Sequence, residues 1–102
     1  MIENLSYSSY SSYHIESQYH KKQNGENCPT ETVIVTKVTC EEALKVLKLK
    51  VSNLNVNQKN RPAGCYWRSD NTGYFNNVLD PSSTNTNDFG ARGGVCSLTG
   101  KD

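Results

Sequence analysis

From Cys40 onward the apolar positions recur at helical spacing. Cys40, Ala43, Leu44, Leu47 and Val51 form one continuous stripe. Thr39 and Glu42 just ahead read as a capping box, with Thr39 as N-cap and Glu42 three places on. Glu41 and Lys45 make a favourable i, i+4 pair, and Lys48 and Lys50 suit the negative end of the helix dipole. The pattern predicts a helix that ends by about Ser52–Asn53. The preceding stretch, Glu31–Val38, is rich in β-branched residues and predicts a strand. After the helix, Leu54–Val56 alternates weakly, as a short edge strand does. Asn57–Pro62 reads as a loop and Gly64–Arg68 as a strand. Ser69–Gly73 carries turn chemistry, and Tyr74–Val78 returns as the hairpin partner. Asp80–Gly94 is long and polar, and Val95–Leu98 is a last short strand. The expected fold is α+β: one amphipathic helix packed on a small antiparallel sheet.

Apolar residues are unevenly placed along the 102-residue chain. Residues 1–27 hold only Ile2, Leu5 and Ile15 among the aliphatics. Within them, Tyr7, Tyr10 and Tyr13 recur every third residue between serines. That period fits neither helix nor half-buried strand, but an extended polyproline-like chain presents every third side chain on one edge. Such a segment has too little to bury to order itself. The chain therefore reads as an extended N-terminal arm, 1–27, ahead of a module, 28–102. Tyr carries large contact area at low entropic cost, so Tyr7, Tyr10 and Tyr13 are candidate anchors for a partner.

The cysteines are Cys28, Cys40, Cys65 and Cys96. Without a C-x-x-C pair, a zinc ribbon or a thioredoxin-like redox pair is disfavoured. On so small a core they read as two structural disulfides, four buried thiols being the alternative. Three pairings are open to four cysteines. Cys40 on the buried stripe favours a bridge from the first helical turn into the sheet, so the expected pairs are Cys40–Cys65 and Cys28–Cys96. In the chain-entropy treatment these loops contribute roughly 3.5 and 4.4 kcal/mol. Disulfides imply an extracellular or other oxidising environment, such as a surface or a virion. Ile2–Tyr13 lacks the basic start and apolar run of a signal peptide. Either a leader has been removed or the chain is oxidised without secretion. Asn4-Leu5-Ser6 is a glycosylation acceptor only on a secretory route.

Several segments together resemble a small, uncharacterised cysteine-rich module found repeatedly in proteins of marine microalgae and other protists. They are Cys28, then Cys40-Glu41-Glu42-Ala43, Pro62-Ala63-Gly64-Cys65-Tyr66, Tyr74-Phe75-Asn76 and the closing Cys96. The module's pattern is Cys, then Cys-x-x-Ala-Ala, Pro-Pro-x-Cys-Tyr, a Phe-Asn strand and a final Cys; the match spans about residues 27–98. Leu44 stands where the pattern has a second alanine, and the module's extra late cysteines are missing here. The resemblance implies a secreted or surface module without catalysis, and brings no functional residues with it.

Candidate chemistry is sparse. Both histidines, His14 and His20, precede residue 28, so a nucleophile–histidine site within 28–102 would need the arm folded over it. Glu41 and Glu42 are accounted for by the helix start and Asp70 by the turn. The expectation is no enzyme and no cofactor. Asp80, Asn85, Asn87 and Asp88 offer oxygen ligands but lack the alternation of a calcium loop, so a solvated loop without metal is expected. A formal net charge of +1 gives no general field for nucleic acid, and no apolar run is long enough to span a membrane. Strand alternation puts Cys65 and Trp67 on one face and Tyr66 and Arg68 on the other. With Cys65 bridged inward, Tyr66 and Arg68 become an exposed pair able to anchor a protein or stack on a sugar. Two functions follow: a structural or interaction subunit of a larger assembly, held to protein neighbours by its arm and hairpin face, or a surface module that binds glycan.

Overall fold

In a computed structural model, residues 18–98 are described; the expected anchors Tyr7, Tyr10 and Tyr13 lie outside them. One helix, α1 (Lys37–Val46), packs on a five-stranded sheet of β1 (Tyr19–Lys21), β2 (Lys50–Val56), β3 (Gly64–Arg68), β4 (Thr72–Asn76) and β5 (Arg92–Ser97). The strand order is β1-β5-β3-β4-β2. Three pairings are antiparallel, but β2 runs parallel to β4, so the sheet is mixed rather than antiparallel throughout. The parallel pair arises because β2 reaches its place beyond β4 before the β3–β4 hairpin is made.

The helix starts one turn earlier than its stripe suggests. Thr36, not Thr39, is the N-cap, and its side chain accepts from the Thr39 N–H at 3.3 Å. The expected strand over Glu31–Val38 is instead a 3-10 turn at Thr30–Thr32, an isolated bridge from Val33 to Cys96, and the beginning of α1. The far end is a Schellman motif. Lys48 takes the left-handed conformation (φ 62°), its N–H donates to Lys45 O, and the Leu49 N–H donates to Leu44 O at 2.8 Å. Leu44 and Leu49 are both core residues, which supplies the apolar contact that accompanies this motif. Glu41 and Lys45 pair at 3.5 Å as expected.

On the helix side, Cys40, Ala43 and Leu44 pack with Ile34, Leu49, Cys65, Phe75, Val95 and Tyr19. Cys40–Cys65 bridges α1 to β3, and Cys28–Cys96 ties the segment before α1 to β5. Cys96 shares a face of β5 with Gly94, where an added Cβ would lie 2.8 Å from Cys28 Sγ. The two bridges therefore lie on opposite faces of the sheet.

Residues 18–27, read from the sequence as the end of the arm, are part of this fold. Tyr19 is buried in the core with Cys40, Ala43 and Leu44 of α1. Lys22 N–H donates to Gly94 O, Gly25 N–H to Arg92 O, and Gly94 N–H to Glu26 O. These main-chain bonds do not depend on the aliphatic content by which the arm was delimited, which is why its boundary was drawn too late.

Candidate functional site on the outer sheet face

The face of the sheet away from α1 carries Tyr66 and Arg68 from β3, Thr72, Tyr74 and Asn76 from β4, and Arg92 and Gly94 from β5. The register sets them in rows: Tyr66 lies opposite Tyr74 on one side and Gly94 on the other, and Arg68 opposite Thr72 and Arg92. Tyr66 and Tyr74 stack, with ring centroids 4.9 Å apart and 11° between planes.

The alternation expected from the sequence holds, but the exposure assigned to it does not. Tyr66 is 2% exposed and is not a surface anchor. Its strand neighbour Gly94 lies against Cys28, and Tyr74 covers its ring, so this face has a small buried centre of its own. Burial pushes the Tyr66 phenol up to about 12, against the lowering effect of the Arg61 and Arg92 charges. Trp67, expected in the core, is half-buried. Its Nε1 donates to Lys22 O at 2.8 Å, and Lys21 Nζ sits 4.5 Å from the ring centroid. Arg68 is exposed, as expected.

Two further arginines join Arg68. Arg61 comes from the loop before β3, close enough for its charge to act on the Tyr66 phenol, and donates from Nη1 to Asn60 O at 3.0 Å. Arg92 donates from Nη1 to Phe89 O at 3.1 Å. Burial, then the Arg61 charge, lowers the Arg92 guanidinium below its ordinary value. Arg68 lies near the Tyr74 hydroxyl and has Asp70 at 3.7 Å from Nε. Among the described residues, neither Arg61 nor Arg92 has a carboxylate within salt-bridge distance. The Thr72 hydroxyl donates to Asp70 at 2.5 Å and lies 3.0 Å from the Tyr74 hydroxyl.

Asn76 holds the Arg61 loop in place. Its side chain is fully buried, and Nδ2 donates to the carbonyls of Gln58 (2.7 Å), Arg61 (3.3 Å) and Pro62 (3.0 Å). Its Oδ1 accepts from the N–H groups of Gln58 and Val78. Asn27 adds a second tie, accepting from the Ala63 N–H and donating to Thr84 Oγ1.

An open groove of about 580 Å³ lies between residues 58–60, next to Arg61 in the chain, and residues 82–88. Its walls are amides and hydroxyls with Lys59 and Asp88. The oxygen groups considered for calcium are used within the turns: Asp80 Oδ1 accepts from the N–H and hydroxyl of Ser82, Asn85 Oδ1 from the Asn87 N–H, and Asp88 Oδ2 from Asn85 Nδ2.

Arg61 and Arg92 carry no signal in the sequence pattern, because both stand in polar stretches, Asn57–Pro62 and Asp80–Gly94, that read as loops. Extending the last strand back to Arg92 would have set Arg92 opposite Arg68. Comparison with family models, curated proteins and solved structures finds no match to the chain. Among the described residues no helix is long and apolar enough to cross a membrane.

Proposed function

We propose that the protein is a non-catalytic structural or interaction subunit of a larger extracellular or virion-like assembly, attached to protein neighbours through its N-terminal arm. The observation that carries this reading is where the arm joins the module. β1, the strand that follows the arm, lies at the edge of the sheet, and an edge strand presents unpaired main-chain groups that a neighbour can reach. The two disulfides, one on each face, support a module built for an oxidising environment. Cross-linking mass spectrometry on the native source tests the reading. Cross-links from residues 1–17 to other proteins are expected; recovery of the chain as an unlinked monomer would overturn it.

A second reading, a surface module that binds glycan, is favoured by the groove between residues 58–60 and 82–88. Its neutral amides and hydroxyls match a sugar's alternating donors and acceptors.

A further inference from the structure

The arginine cluster carries an unbalanced charge at close quarters. Arg68 and Arg92 occupy directly opposed positions on β3 and β5, and like charges so placed destabilise a sheet. Arg61 is brought to the same place by a loop that a buried amide, Asn76, fixes through three carbonyls. Arg61 and Arg92 each donate to a neutral backbone acceptor, Asn60 O and Phe89 O, and Arg68 lies near the Tyr74 hydroxyl. A guanidinium has five N–H donors, and these contacts use only one or two of them. Asp70 sits 3.7 Å from Arg68 with both side chains about half exposed, an arrangement that offsets little, and among the described residues Asp88 makes no ion pair with the three arginines. Three positioned cations with spare donors and little internal counter-charge form a receptor for an anionic group.

The groove is tied to that receptor through two of its lining residues. Asn60 lines it and is bonded to Arg61; Asp88 lines it and precedes Phe89, whose carbonyl holds Arg92. We propose that this face binds an anionic glycan, with one sulfate or carboxylate group seated on Arg61, Arg68 and Arg92 and the neighbouring sugar hydroxyls along the groove. The inference rests on the glycan-binding reading and supplies its ligand class.

Other anionic partners fit less well. An acidic peptide is anchored by side-chain pockets or an open sheet edge, and this groove offers mostly amide and hydroxyl walls, with a single Lys59 and a single Asp88 of opposite charge. A membrane-docking face places apolar residues beside its cations, whereas the groove presents serines, threonine and asparagines. Single-stranded nucleic acid needs open aromatic faces, and here Tyr66 is buried in its stack with Tyr74.

The test uses the full oxidised chain with three probes of one backbone: dextran, carboxymethyl-dextran and dextran sulfate of equal length. Polyglutamate serves as the acidic-protein control. Binding is followed by calorimetry and by amide NMR shifts. Dextran sulfate or carboxymethyl-dextran should bind at least tenfold more tightly than dextran and weaken with salt. Shifts should fall on residues 58–61, 66–68, 82–85 and 92. Arg61→Gln and Arg92→Gln should each cut affinity about tenfold. Arg92→Gln should leave the melting temperature unchanged or raise it, since it relieves a like-charge contact. Asn60→Ala should weaken dextran sulfate but not polyglutamate. Equal affinity for unmodified dextran would overturn the anionic inference and leave the glycan reading standing. Equal affinity for polyglutamate with no effect of Asn60→Ala would replace the glycan by an acidic protein surface. Absence of binding to every dextran would overturn both.

Discussion

The Leu44 side chain lies directly on Gly73, so that α1 meets β4 where the sheet has no side chain. A Cβ on Gly73 would come within 2.8 Å of Leu44 Cγ and closer still to both its methyl carbons. Leu44 is fully buried and has nowhere to swing. Gly73→Ala should therefore cost about 1–3 kcal/mol by overpacking. Leu44→Ala should cost about 2–5 kcal/mol by leaving a cavity. In the double variant the added methyl fills part of that cavity, so Gly73→Ala should cost less there than alone. Denaturant unfolding of the four proteins measures the coupling, and additive costs would mean that the two residues do not share this space.

The helix ends make a paired prediction. Thr36→Ala should lose about 1 kcal/mol, because Thr36 caps the Thr39 N–H. Thr39→Ala should change stability by less than about 0.5 kcal/mol, as a substitution away from any cap does. Lys48→Gly should stabilise by about 0.5–1 kcal/mol, because a left-handed residue with a Cβ is replaced by one without. Thermal melts in one buffer rank the three.

Asn76→Ala should be among the most damaging single changes, at about 3 kcal/mol or more. It strips partners from two backbone N–H groups and the Gln58 and Pro62 carbonyls at once, each worth about 1–3 kcal/mol when buried and unpaired. Hydrogen exchange at Gln58 and Val78 should accelerate even under conditions where the rest of the fold persists.

Tyr66 sets the alkaline behaviour. Its folded pKa, about 12, lies above the ordinary value of 10.0, so the native state holds a proton that the unfolded state gives up. The unfolded state then binds fewer protons between those values, and stability falls as pH rises from 10.0 to about 12. Below 10.0 this contribution is present in full. Tyr19 is also raised, by burial and then by the Glu42 charge, so absorbance at 295 nm should show two tyrosines ionising late, and Tyr66→Phe should remove one of those steps.

Deletions separate the arm from the module. Removing residues 1–27 takes away β1, the buried Tyr19 and both Asn27 side-chain bonds, and should lower the melting temperature sharply. Removing only 1–17 should leave it within a few degrees while abolishing incorporation into the assembly. A 1–27 deletion that melts normally would mean that β1 contributes nothing to the fold.

The parts of the fold legible in the sequence are those written in side-chain pattern. The stripe from Cys40 to Leu44, the β3–β4 hairpin and the two cysteine pairs were all readable, since each follows from periodicity or from one buried partner. What stayed hidden is carried by the backbone. The Schellman end has Lys48 where glycine would have marked it, so the helix looked longer than it is. Val33 and Ile34 are buried as a strand's residues would be, yet only Val33 makes a bridge, because Thr36 begins the helix. β1 was missed because main-chain bonds hold it. At the candidate site, Arg68 was visible from alternation alone, whereas Arg61 and Arg92 arrive through a buried asparagine and a cross-strand register, neither of which leaves a local trace.

The Cys28–Cys96 bridge also decides how the molecule bears tension. A pull between an anchored N-terminal arm and the C-terminus passes straight across that sulfur–sulfur bond. Residues 29–95, with α1 and strands β2, β3 and β4, form a closed covalent loop outside the line of force. The pairing of β1 with β5 and the main-chain bonds that Lys22, Gly25 and Glu26 make to β5 are loaded, and they can peel before the bridge takes the strain. Under single-molecule stretching the oxidised chain should lengthen only by its terminal segments, and reduction should make the whole module extensible.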